Sequence, residues 1–171
     1  DYVKGILDVV EANDLLKDLL LDKDTNGDTA LNIAFNTQNK EMVKAIFEKL
    51  FTIGDLSILK AALLVNNDYD ISPLHNFVMA SEEIFQEIME LASKKGALET
   101  LLMPEVGKST ALHFAVYENL LEVVESINNL TSSMNGLQRK VLLASDSNGN
   151  TPLHWVSEGD NVGIANKLTA I

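Results

Sequence analysis

The chain has 171 residues, 46% of them hydrophobic, with 25 acidic against 13 basic side chains and a formal net charge of −12. That is material for one domain, or one stack of repeats, with a sizeable buried core, and it contains no apolar run long enough to cross a membrane. The acidic balance and a single Arg (Arg139) argue against nucleic acid and anionic membrane surfaces, while the absence of Cys removes disulfides, Cys-ligated zinc and a thiol nucleophile together.

In chain order, Tyr2-Val-Lys-Gly-Ile-Leu7 repeats the pattern of Met42-Val-Lys-Ala-Ile-Phe47, so residues 1 to 10 read as the second helix of an earlier unit. The apolar pattern DLLKDLLL (14–21) predicts a short helix, and Asp24-Thr-Asn-Gly27 a tight turn. Thr29 then opens the segment TALNIAF, and the same pattern returns as SPLHNFV at Ser72, TALHFAV at Thr110 and TPLHWVS at Thr151. These four Thr or Ser anchors stand 43, 38 and 41 residues apart. Each is followed two positions on by Leu (Leu31, Leu74, Leu112, Leu153), and three are followed by His75, His113 and His154, which are all the histidines present. A hydroxyl ahead of Pro or Ala is a good helix start. Apolar residues thirteen, fourteen and seventeen past the anchors predict a second amphipathic helix: Met42-Val43 with Ile46, Phe85-Gln86 with Met89, Val123-Val124 with Ile127, and Ile164-Ala165 with Leu168. Leucine pairs precede every anchor by nine and eight residues, inside the apolar stretches 55–64, 97–103 and 137–145 as well as 14–21, and these predict a short third helix per unit. Gly159 marks the end of the last first helix or the turn after it.

The pattern D-x-x-G-x-T-[PA]-L-H, then a short helix, a turn and a second helix, resembles the ankyrin repeat. It is carried best by Asp24/Gly27/Thr29/Leu31/Ala34 and by Asp146/Gly149/Thr151/Pro152/Leu153/His154. The likeness implies an all-α solenoid of helix-turn-helix units joined by short hairpin loops, here with the extra third helix. The chain then divides into a partial unit 1–21, units 22–64, 65–102 and 103–143, and a final partial unit 144–171, forming one solenoid over 1–171. Two departures stand out. The units are longer than the roughly 33 residues usual for the family. The second and third hairpins carry Asn67/Asp70 and Glu105/Lys108 where Asp and Gly belong, so both are expected to be distorted.

Three signals resemble chemistry. Asp22-Lys-Asp24-Thr-Asn26-Gly27 matches half a calcium loop, but Thr29 and Ile33 fall where an apolar residue and a bidentate Glu are needed. Gly107-Lys108-Ser109-Thr110 resembles the end of a phosphate loop, yet Leu102 replaces its first Gly. The three histidines share one slot in successive units, too far apart to converge on one ion; the resemblance gives that His a place under the hairpin, bonded to its backbone. No catalytic residue, metal site or cofactor is therefore expected. Trp155 and Phe114, four past their anchors, are expected in the core, with Asn76 the polar member of that slot.

The resemblance implies a module that binds a partner protein or peptide on the concave face of hairpin tips and first helices. The variable slots there put forward Tyr69, Ile71, Met79 and Tyr117 as an apolar centre, with Glu118 beside Tyr117 and with Asp28 and Glu158 of the outer units as acidic rim. A segment with apolar or aromatic anchors and flanking Lys or Arg would suit it; the alternative is that these residues cover irregular hairpins or a flanking domain. Flanking domains of the same chain are expected, because neither end is polar enough to cap a stack. A docking arm of a larger enzyme, a spacer and a calcium sensor are the competing readings. The setting expected is cytoplasmic, and the Arg-poor, Lys- and Asn-containing repeats are also similar to ankyrin arrays of effectors that intracellular bacteria inject, which would place it in host-cell cytoplasm.

Overall fold

A computed structural model describes residues 13–103, 105, 107–134, 136–158 and 162–169. Among them every regular element is an α-helix: α1 (Asn13–Leu21), α2 (Ala30–Asn36), α3 (Lys40–Ile53), α4 (Leu56–Leu64), α5 (Pro73–Val78), α6 (Glu82–Lys94), α7 (Leu98–Leu102), α8 (Ala111–Tyr117), α9 (Leu121–Ser132), α10 (Leu137–Leu143), α11 (Pro152–Glu158) and α12 (Val162–Thr169). No helix of the described residues is long and apolar enough to cross a membrane. The segment 1–10 and Gly159 lie outside the described residues. The chain forms two compact units that meet in sequence at Leu101 and Leu102.

Every anchor starts a helix. The hydroxyl of Thr29 accepts from the Asn32 N–H, that of Ser72 from the His75 N–H and that of Thr110 from the His113 N–H, each satisfying one orphan donor of the first turn. Three residues into the helix, the side chain reaches back to the anchor. Asn32 Oδ1 accepts from the Thr29 N–H at 3.1 Å, His113 Nδ1 from the Thr110 N–H at 3.1 Å, and His154 Nδ1 from the Thr151 N–H at 3.2 Å. This is a capping box built with Asn and His in place of the usual Glu or Gln.

The third helices α1, α4, α7 and α10 form where the leucine pairs predict them, and they explain the irregular spacing. From anchor to the left-handed Gly54, Gly96 and Gly136 the chain runs 25, 24 and 26 residues. From each of those glycines to the next anchor it runs 18, 14 and 15, tracking third helices of 9, 5 and 7 residues. One register prediction shifts. Asn39 and Leu120 cap α3 and α9 ten residues past their anchors, but Ser81 caps α6 after nine. The left-handed Gln38 and Asn119 mark the longer turns. Phe85 and Ile88 therefore hold the buried places of Val43 and Ile46, and Met89 that of Phe47 rather than of Ile46.

In the first unit α2 packs beside α5, α3 beside α6 and α1 beside α4, so like helices lie against like. Its core is aromatic: Phe77 stacks on Phe85 at 4.8 Å between centroids and meets Phe35 at 5.9 Å and Phe47 at 6.3 Å, with Phe51 beyond Phe47 at 5.5 Å. Lys40 on α3 bridges to Glu83 at 2.6 Å and to Glu87 at 3.2 Å across to α6. The second unit repeats the side-by-side arrangement, α8 with α11 and α9 with α12, around an aliphatic core of Leu112, Val116, Val124, Ile127, Val141, Val156 and Ile164. Lys167 bridges back from α12 to Glu125 on α9 at 2.5 Å.

The second hairpin corrects the expectation of distortion. Asp24 Oδ1 accepts from the N–H groups of Asn26 and Asp28, and Asp146 Oδ1 from those of Asn148 and Asn150. Asn67 Oδ1 does the same for Tyr69 and Ile71 at 3.0 and 2.9 Å. An amide oxygen serves this turn as well as a carboxylate oxygen does, and Asp70 takes the left-handed place of Gly27 and Gly149 at φ 61°. In the third hairpin positive φ falls on Gly107, one residue before Lys108; residues 104 and 106 lie outside the described set.

Candidate protein-interaction site

The framework leaves three apolar side chains exposed in the variable slots: Tyr69 (72% exposed), Met79 (47%) and Tyr117 (69%). Tyr69 projects from the second hairpin and Met79 follows α5 as its C-cap. Ile71 is only half-buried, because it ends the hairpin that Asn67 closes. Asp28 is committed within the first unit: its Oδ1 accepts from Asn67 Nδ2 at 2.7 Å. The neighbouring backbone bond from the Asp68 N–H to the Asn26 carbonyl, 3.2 Å, and the Lys23 ammonium on the Asn66 carbonyl, 2.7 Å, lace the first two hairpins together. Asp28 thus holds the platform on which Tyr69 stands. In the second unit Glu118 is the C-cap of α8, next to Tyr117, and Glu158 is the last residue of α11, with its side chain outside the described residues.

Sequence reasoning missed how the slot four past each anchor is used. On α5, Asn76 accepts from Asn32 Nδ2 at 2.8 Å and donates to Asn36 Oδ1 at 2.8 Å, joining positions three and seven past the preceding anchor. On α11, Trp155 meets His113 edge-on at 5.1 Å and Tyr117 at 5.9 Å, the same two positions in its own unit. One seam is written in amides and the other in rings. The signal was present in the sequence: Asn76 is the polar member of an otherwise apolar slot, and Asn32 and Asn36 stand three and seven past the preceding anchor. Trp155 and Phe114, both expected in the core, are half-buried instead.

His113 is fully buried with both ring nitrogens engaged. Nδ1 accepts from the Thr110 N–H and meets Thr110 Oγ1 at 2.9 Å, so in the neutral ring the proton sits on Nε2 and is donated to the Asn150 carbonyl at 3.0 Å. Burial holds the imidazole below its ordinary pKa, against the opposing pull of the Asn150 bond and the Asp146 charge. For Asp146 burial works to raise the pKa, but the N–H groups of Asn150 and Asn148 and the indole of Trp155, 3.1 Å from Oδ2, hold it below the usual range. Asp24, the candidate calcium ligand, likewise spends its carboxylate on turn N–H groups. Among the described residues no three His, Asp or Glu side chains are grouped so as to hold a metal ion. Compared with known protein families and with curated proteins, the chain matches no family model and no curated sequence.

Proposed function

We propose that this chain is an ankyrin-type repeat solenoid whose task is to bind a partner protein or peptide through hairpin tips and first helices, with no reaction of its own. One observation carries the reading: Tyr69, Met79 and Tyr117, in positions that differ between units, are large, apolar and exposed, whereas the shared positions supply the caps, the turns and most of the core. Side chains of that kind outside a framework are the usual anchors of recognition. The ankyrin assignment draws support from the recurring anchor caps, the Asp- or Asn-closed turns and the pairing of like helices within each unit. Affinity capture from cell lysate with wild type, Tyr69→Ala and Tyr117→Ala tests the proposal. Proteins held by wild type should be depleted with each variant while the helical circular-dichroism signal is retained. Identical capture by all three would remove the assigned surface.

A further inference from the structure

We propose that Tyr117 and Trp155 form a seat for an arginine side chain of the partner, a refinement that rests on the interaction reading above. Trp155 stands nearly perpendicular to Tyr117, 70° between planes at 5.9 Å, and is half-buried with His113 edge-on to it at 5.1 Å. The corner between the two rings is therefore held from beneath, and Tyr117 offers most of its ring to solvent. Aromatic faces carry negative potential and attract guanidinium groups, Trp most strongly. Here the potential is deepened. The indole N–H donates to Asp146 Oδ2 at 3.1 Å, which pushes electron density into the ring and fixes a carboxylate at its edge. That carboxylate is itself pinned by the N–H groups of Asn148 and Asn150, so it cannot swing away to meet the ligand. Glu118 caps α8 beside Tyr117, and the whole chain carries −12. A planar cation fits such a corner better than an aliphatic side chain, which would gain area but none of this field, and better than ammonium, which is more strongly hydrated.

Trp155 is the only tryptophan in the chain, so its emission reports on the seat alone. The intact chain is titrated at low ionic strength with the capped peptide Gly-Arg-Gly-Arg-Gly and with its twin bearing neutral citrulline, following Trp155 emission and, in parallel, heat by calorimetry. The arginine peptide should shift the emission and bind about two- to thirty-fold tighter than the citrulline twin. Tyr117→Ala, checked for retained helicity, should weaken it by a similar factor, whereas Glu41→Gln, an acidic site in the first turn of α3, should not. An equal response to citrulline, heat without any change in Trp155, or Glu41→Gln weakening binding as much as Tyr117→Ala would each overturn the seat. If Tyr117→Ala still abolishes partner capture while Trp155 stays silent to arginine, the arginine seat falls and the interaction reading stands.

Discussion

Replacing His113 separates the cap it makes within its own helix from the tie it makes to the next hairpin. The ring is fully buried and serves two backbone groups, the Thr110 N–H through Nδ1 and the Asn150 carbonyl through Nε2. His113→Leu fills similar space but strands both, and each stranded buried group costs about 1–3 kcal/mol, so the loss should be about 2–6 kcal/mol. His113→Asn copies what Asn32 does for Thr29, keeping the cap and losing only the reach to Asn150, for about 1–3 kcal/mol. Urea unfolding read by Trp155 emission, which lies in the same unit, measures both. The ordering wild type, Asn, Leu is the test: equal losses for the two variants, or none for either, would refute the division of labour. Acid supplies an independent check. Burial holds the folded imidazole below 6.5, so below that pH the unfolded chain takes up a proton that the folded chain refuses. The stabilisation is therefore complete above pH 6.5 and is lost as pH falls towards the lowered folded value, at no more than about 1.4 kcal/mol per pH unit. His113→Asn should lack this part of the acid sensitivity; an unchanged pH slope would contradict the assigned burial.

Gly27 and Gly149 share one register position, at φ 74° and 82°, but a Cβ on Gly27 would lie 2.7 Å from the Asp68 backbone nitrogen while one on Gly149 meets nothing within 4 Å. Gly149→Ala should cost about 1–2 kcal/mol for its left-handed backbone alone, and Gly27→Ala clearly more, in paired thermal melts. Asn76→Ala removes the partner of both Asn32 and Asn36, and because Asn32 is fully buried the loss should be about 1–3 kcal/mol in urea. Glu87→Gln breaks exposed bridges to both Lys44 and Lys40, and its small destabilisation in thermal melts should disappear in molar salt.

The helices were legible because each carries a local signal strong enough to act alone: hydroxyl anchors with Pro or Ala, apolar spacing and leucine pairs. Even the unusual third helix could be placed from composition. What could not be read was decided by one atom or one residue. The second hairpin was expected to be distorted for want of Asp and Gly, yet Asn67 supplies an equivalent oxygen and Asp70 tolerates positive φ. The one-residue shorter turn before Ser81 moved the buried face of α6 by one position, which a fixed offset from the anchor cannot detect. Of the candidate site, Tyr69, Met79 and Tyr117 were found by exclusion from the framework and are exposed. The structural tie of Asp28 was not legible, because its hydrogen bond to Asn67 spans 39 residues of sequence.

Those long-range ties also bear on why the variable slots can vary. In each unit one first helix, α2 or α8, is held at its start by its own hydroxyl cap and along its side by one residue of the first helix that follows it, Asn76 in one unit and Trp155 in the other. The amide seam is satisfied by the direction of its hydrogen bonds, so an apolar residue in place of Asn76 would orphan the buried amide of Asn32. The ring seam is held by area and edge-to-face geometry, so it accepts changes of shape more gradually. An amide seam satisfies its members with one another, whereas a ring seam presents a polarisable face at its outer end. The exposed Tyr117 follows from that choice: once His113 and Trp155 are rings, position seven completes the seam best as a third ring, and its outer face stays open to solvent.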